Sequence, residues 1–175
     1  MNRTNKIVEF DLDARRKMLD GINILANTVK VTMGPRGHNV VIERENGPPI
    51  LTKDGVTVAR ALNLRDQYND LGVQLVKEAA ARTAEEAGDG TTSSTVLAQA
   101  LCAEGMRSLE AGYDYAELKR GMSYAHEQVQ KSLHEMTNPV KADEQVRNVA
   151  LISANGEELI AELIVKAINA VGPDG

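Results

Sequence analysis

The run Ala87–Leu101 reads Ala-Gly-Asp-Gly-Thr-Thr-Ser-Ser-Thr-Val-Leu-Ala-Gln-Ala-Leu, with two glycines, an aspartate and five hydroxyl residues standing before an apolar helical pattern. Free N–H groups at a helix start carry partial positive charge and can hold a phosphate. Gly88 and Gly90 would let an anion approach the backbone, and the hydroxyls of Thr91, Thr92 and Ser93 would add donors. Asp89 is suited to the magnesium that travels with a nucleotide, because magnesium takes oxygen ligands and few protein carboxylates. The plainer reading is the commoner outcome for such a sequence: Asp89 or Thr91 simply caps the helix. Two familiar nucleotide motifs are excluded. No Lys follows the glycines as a Walker A loop requires, and Gly88-x-Gly90 lacks the third glycine of a dinucleotide fingerprint and follows a helix rather than a strand.

Two other stretches carry candidate chemistry. Thr32-Met33-Gly34-Pro35-Arg36-Gly37 combines the ordinary Gly-then-Pro helix stop with a bend whose backbone could touch a ligand. Thr52-Lys53-Asp54-Gly55 contains a strong turn pair, Asp-Gly. It also offers Asp54 as a carboxylate near a nucleotide's terminal phosphate, orienting water or a second cation, with Lys53 approaching the nucleotide. His38, His126 and His134 show no metal-ligand spacing, and no Ser-His-Asp or Cys-His arrangement can be assigned.

The elements that would position these residues are mostly helical. Met18, Ile22, Leu25 and Val29 mark one face of a helix from Asp11 to Val31. Asn39–Arg44 and Ile50–Thr52 read as short strands either side of Asn46-Gly47-Pro48-Pro49, and Val56–Leu62 as a short helix. Longer helices are expected over Asp66–Ala87, with Leu71, Leu75, Val76, Ala79 and Ala80 on one side. Thr91–Glu110 should follow, carrying Val96, Leu97, Ala100, Leu101 and Met106. Tyr115–Met136 comes next, with a stripe of Leu118, Met122, Ala125, Val129 and Leu133. Lys141–Leu151 and Glu157–Val171 complete the helical set, and Asn138-Pro139 marks a domain edge.

Composition limits the function classes. Of 175 residues 42% are hydrophobic but only 3% aromatic, which calls for an aliphatic core and argues against disorder. A net charge of -5, with no basic block, makes nucleic acid a poor partner. No apolar run approaches the roughly 18 residues of a membrane span, and Met1–Phe10 lacks the apolar region of a signal peptide. The single cysteine, Cys102, reads as a small core residue and fits a reducing, cytoplasmic setting.

From about Val8 to Gly175 the chain resembles the N-terminal part of a group I, GroEL-type chaperonin. The likeness rests on Val29–Val41 (Val-Lys-Val-Thr-Met-Gly-Pro-Arg-Gly-His-Asn-Val-Val), on Thr52–Arg60 (Thr-Lys-Asp-Gly-Val-Thr-Val-Ala-Arg) and on Ala87–Ala100, with Leu118–Gly121 and Ile152–Asn155 in support. The resemblance implies a mainly α, multihelical equatorial-domain fold with a small β element. Residues 1–135 would be the first segment of the ATP-binding equatorial domain and 136–175 the start of the intermediate domain, with the apical domain and the C-terminal equatorial segment absent. It implies that Asp89 binds magnesium and that Gly90, Thr91, Thr92 and Ser93 wrap the phosphates of ATP. Thr32, Met33, Gly34, Pro35 and Lys53 would touch the nucleotide, and Asp54 would serve hydrolysis. K+ is a further candidate cation. Met33, Arg36 and Ser93 stand where the family usually has Leu, Lys and Thr.

The same resemblance implies an ATP-dependent chaperone subunit in a ring of identical subunits, acting on non-native client proteins with a lid co-chaperonin as a further candidate partner. No nucleic acid or membrane partner is expected. The ATPase belongs to the full-length protein, and the 175-residue segment alone is expected to be inactive. The competing class is a truncated, non-catalytic assembly or nucleotide-binding module. A small stand-alone phosphotransfer enzyme is weaker, since no acceptor site or general base is visible.

Overall fold

The computed structural model describes residues 10–34, 36–44, 47–140 and 143–172. Among them lie seven helices and one antiparallel pair of strands: α1 (Asp11–Lys30), β1 (Val40–Ile42), β2 (Ile50–Thr52), α2 (Gly55–Ala61), α3 (Gln67–Ala87), α4 (Thr91–Glu110), α5 (Tyr115–Met136), α6 (Asp143–Ser153) and α7 (Glu158–Val171). The fold is mainly α with a small β element. The described residues form two units that divide between Lys119 and Arg120.

In the first unit the core is aliphatic. Ile22, Leu25 and Val29 of α1, Val58 and Ala59 of α2, and Val73 and Val76 of α3 are buried together, with Val40, Ile42, Leu62, Leu64 and Ala98 packed around them. The strands pair Val40 with Thr52, Val41 with Leu51 and Ile42 with Ile50. Their two-residue side-chain period sends Val40 and Ile42 toward the core while Val41 and Leu51 stay exposed.

Helix α3 starts where Asp66 accepts the N–H groups of Tyr68 and Asn69, and it stops at left-handed Gly88. Of the apolar side expected, Val76 and Ala80 are buried and the leucines are not. Gly72, Val73, Val76 and Ala80 are buried, whereas Leu71 and Leu75 are half-exposed. The cause is a close crossing with α1: a methyl group on Gly21 would run into the Asn69 carbonyl, and one on Gly72 into the Met18 carbonyl. Small residues set that crossing, and the leucines one position away are turned off it.

The same holds for α4, where Thr95 and Met106 are buried but Leu97 and Leu101 are exposed. The buried Thr95 hydroxyl is satisfied within the helix, donating to the Thr91 carbonyl at 2.8 Å. Cys102, expected in the core, is exposed on this helix. Along α5 the Met122, Ala125, Val129 and Leu133 stripe forms at helical spacing but is exposed, and no residue of the helix is buried.

In the second unit α6 and α7 pack on each other through buried Ala150 and Ala161. The turn between them uses left-handed Asn155 and Gly156, whose N–H groups return to the Ile152 and Leu151 carbonyls.

Candidate functional site

At the start of α4 two left-handed glycines bracket Asp89. Gly88 (φ +71°) ends α3 by donating to the Ala84 carbonyl at 3.0 Å, and Gly90 (φ +85°) is the N-cap of α4. Gly90 has no side chain to offer, so α4 begins without a side-chain cap and without an acidic residue in its first turn. Neither Asp89 nor Thr91 plays the capping role that the plainer reading gave them. The exposed Asp89 carboxylate folds onto the Gly90 N–H at 2.6 Å. The N–H groups of Thr91, Thr92 and Ser93 belong to the helix's first turn, where no helical carbonyl is available to them. An anion is the natural partner for such an end.

The second stretch is held differently. Asp54 is the N-cap of α2: Oδ1 accepts from Val56 N at 3.2 Å and Oδ2 from Thr57 N at 3.1 Å. The Thr57 hydroxyl donates to Oδ2 as well. The Asp54 N–H donates to the Thr52 hydroxyl at 3.0 Å. Partial burial pushes the Asp54 carboxyl up, but the Thr57 hydroxyl, the Val56 and Thr57 N–H groups and the charge of Arg60 outweigh it. The group stays below its ordinary range. It is therefore an anion at neutral pH and a weak proton acceptor, fitted to orient a water or attract a cation rather than to remove a proton.

The third stretch turns back on itself after α1. Thr32 donates its hydroxyl to the Val29 carbonyl at 2.8 Å, Gly34 is left-handed (φ +77°), and Gly37 N donates to the Gly34 carbonyl at 2.9 Å. His38 N closes the loop onto the Val31 carbonyl at 2.8 Å. Pro35, expected with this group, lies outside the described residues.

Gly55 brings two of the stretches together. A Cβ there would sit 2.2 Å from Thr92 Oγ1 and 3.1 Å from Val29 Cγ1, so α2 begins directly against the first turn of α4 and the last turn of α1. The third stretch follows that last turn of α1, with Thr32 bound to the Val29 carbonyl. About two turns further into α4, Gln99 donates to Asn23 at 2.8 Å and Asn27 at 3.3 Å, tying that helix to α1. Lys53, Met33, Gly34, Asp89 and Ser93 are exposed. Sequence reasoning passed over Thr57 and Gly55. The signal for Thr57 was its position three residues after an N-cap aspartate, the usual reach of a capping partner.

Among the described residues no group of three or more His, Cys, Asp or Glu could hold a metal. A cation at this site would rest on one carboxylate and on the phosphate oxygens it arrives with, an arrangement magnesium accepts. No helix among the described residues is long and apolar enough to cross a membrane.

Residues 25–174 match the TCP-1/cpn60 chaperonin family. The chain belongs to that family. Two solved chaperonins share its fold. A group III chaperonin in the open state superposes with a TM-score of 0.77 over 93% of this chain at 24% identity. The chaperonin gp146 from the bacteriophage EL 2 (Pseudomonas aeruginosa), crystallised in the presence of ATP-BeFx, gives 0.74 over 92% at 29% identity. The chain spans 32% of the first protein and 28% of the second. In this chaperonin chain, then, all three candidate loops lie inside the family-matched region.

Proposed function

We propose that this chain is the N-terminal part of a group I type chaperonin subunit that, in the intact protein, binds and hydrolyses Mg-ATP to drive the folding of non-native proteins within a ring of identical subunits. One observation supports the reading: the uncapped first turn of α4 packs against Gly55, the residue next to the capping carboxylate of Asp54, beside the last turn of α1. A cationic helix end beside an ionised carboxylate suits a nucleotide that brings its own magnesium.

On this reading Gly90, Thr91, Thr92 and Ser93 hold the phosphates and Asp89 holds the magnesium. Thr32, Met33, Gly34, Pro35 and Lys53 line the nucleotide, and Asp54 orients the attacking water. Phosphoryl transfer needs positioning and charge stabilisation more than a strong base, which agrees with the depressed Asp54 carboxyl. Residues 1–135 then form the ATP-binding domain and 136–175 open a second domain, with Asn138-Pro139 in the break between α5 and α6. A cytoplasmic site of action and a lid co-chaperonin belong to the same reading.

Asp89→Ala in the intact protein tests it. The substitution removes the one carboxylate assigned to magnesium, and it does so at an exposed position, so nucleotide turnover should be lost while the far-UV circular dichroism spectrum is kept. Unchanged turnover would reduce the Ala87–Leu101 stretch to an ordinary helix start.

A further inference from the structure

A carboxylate offers about four lone-pair acceptor sites, two on each oxygen. At Asp54 three are in use. Oδ2 takes both the Thr57 N–H and the Thr57 hydroxyl, and Oδ1 takes the Val56 N–H. The remaining acceptor site lies on Oδ1. The residue is also fixed through its backbone, because its N–H is bound to the Thr52 hydroxyl.

Capping alone does not require this arrangement. Asp66 caps α3 with a single oxygen: its Oδ1 accepts both Tyr68 N and Asn69 N at 3.0 Å, with no hydroxyl added. At Asp54 the two N–H bonds are divided between the oxygens and a hydroxyl from the third helical residue locks the second oxygen. The extra bond leaves one oriented acceptor, at a place where the next residue, Gly55, abuts Thr92 in the first turn of α4.

Taking Asp54 as the residue that orients water, we propose that Thr57 is its positioning residue, holding the carboxylate so that only the open acceptor on Oδ1 faces the water. Without the hydroxyl, Oδ2 regains a free acceptor and the carboxylate is held by its two N–H bonds alone. Binding of ATP does not depend on which oxygen is free, whereas alignment of the water does. Loss of alignment lowers the rate at saturation and leaves affinity alone.

The test uses Thr57→Val in the intact protein, which keeps the side-chain shape and removes the donor. Turnover at saturating ATP should fall about three- to tenfold, within the range expected for misaligned reacting groups. The ATP dissociation constant from calorimetry should stay within about twofold, and Thr57→Ser should restore the rate. Asp54→Asn is measured in parallel. If Asp54→Asn is slow and Thr57→Val turns over normally, Thr57 is a helix cap and nothing more. If Thr57→Val loses rate and affinity together, in step with a lower melting midpoint, the role is structural and the proposal fails. If Asp54→Asn itself turns over normally, the water-orienting reading of Asp54 goes, and the role of Thr57 with it. Should Thr57→Val fail to fold, Thr57→Ala against Thr57→Ser gives the same comparison.

Discussion

Gly55→Ala puts one methyl group at the point where the start of α2 meets the first turn of α4. Its Cβ would stand 2.2 Å from Thr92 Oγ1, and ordinary contact begins near 3.4 Å, so about 3.4 − 2.2 = 1.2 Å must be recovered by movement. Thr92 has a short β-branched side chain with two χ1 choices on a helix, and Val29 Cγ1 at 3.1 Å blocks the other side. Overpacking of this kind costs about 1–3 kcal/mol. Alanine also favours helix over glycine by about 1 kcal/mol, which would hide part of that cost. Gly105, inside α4, has nothing within 4 Å of where a methyl group would stand, so Gly105→Ala carries the helix preference alone and supplies the control. The difference between the two variants removes the propensity contribution and isolates the clash. Gly105→Ala should be stabilised by up to about 1 kcal/mol, and Gly55→Ala should fall about 1–3 kcal/mol below it. Urea unfolding of the intact protein, followed by circular dichroism, reads this directly. Turnover should separate the pair further, since a displacement near 1 Å at a positioning group can cost about a hundredfold in rate. If Gly55→Ala matches Gly105→Ala in both stability and turnover, the close approach does not position the site and the reasoning fails.

Two further outcomes follow from the same structure. Asp54 is held below its ordinary value of 3.8 against the opposing effect of burial. Asp70 is lowered by the Leu64 N–H and the Gln74 amide, with burial opposing and Lys77 adding to the lowering. A depressed carboxyl stabilises the fold above its unfolded-state value and loses that contribution as pH falls through the folded one. Stability should therefore drop below about pH 4, and a double Asp54→Asn, Asp70→Asn variant should show a shallower acid limb in pH-dependent melting; superimposable curves would remove these groups from the acid response. The second outcome concerns the 175-residue chain expressed on its own. Leu71, Leu75, Leu97, Leu101, Met122, Val129 and Leu133 are exposed, and apolar area left in water forgoes roughly 25 cal/mol per Å². That chain should bind a hydrophobic dye and lose its helical signal without a sharp transition, and a cooperative melt of a dye-free monomer would contradict this.

Most element limits were legible because they are written in local chemistry. Gly88 and Gly90 bracket the break between α3 and α4, Asp66 caps α3, and β-branched residues fill β1 and both ends of β2. Which face of each helix is buried is not a local property. Helix α3 carries two adjacent apolar stripes, and counting hydrophobic residues favours the one with Leu71 and Leu75. Against α1 the chain buries Gly72, Val73, Val76 and Ala80, because glycine on both sides of the α1–α3 crossing lets the backbones approach. The candidate site has the same logic. Three loops could each be singled out from Gly, Asp and hydroxyl residues, yet nothing in their spacing says which of them pack together. The packing of two of them depends on Gly55 lacking a side chain against Thr92, a relation across 37 positions of sequence (92 − 55 = 37). A glycine that looks like half of a turn pair is, in the folded chain, the place where the start of α2 packs against the uncapped first turn of α4.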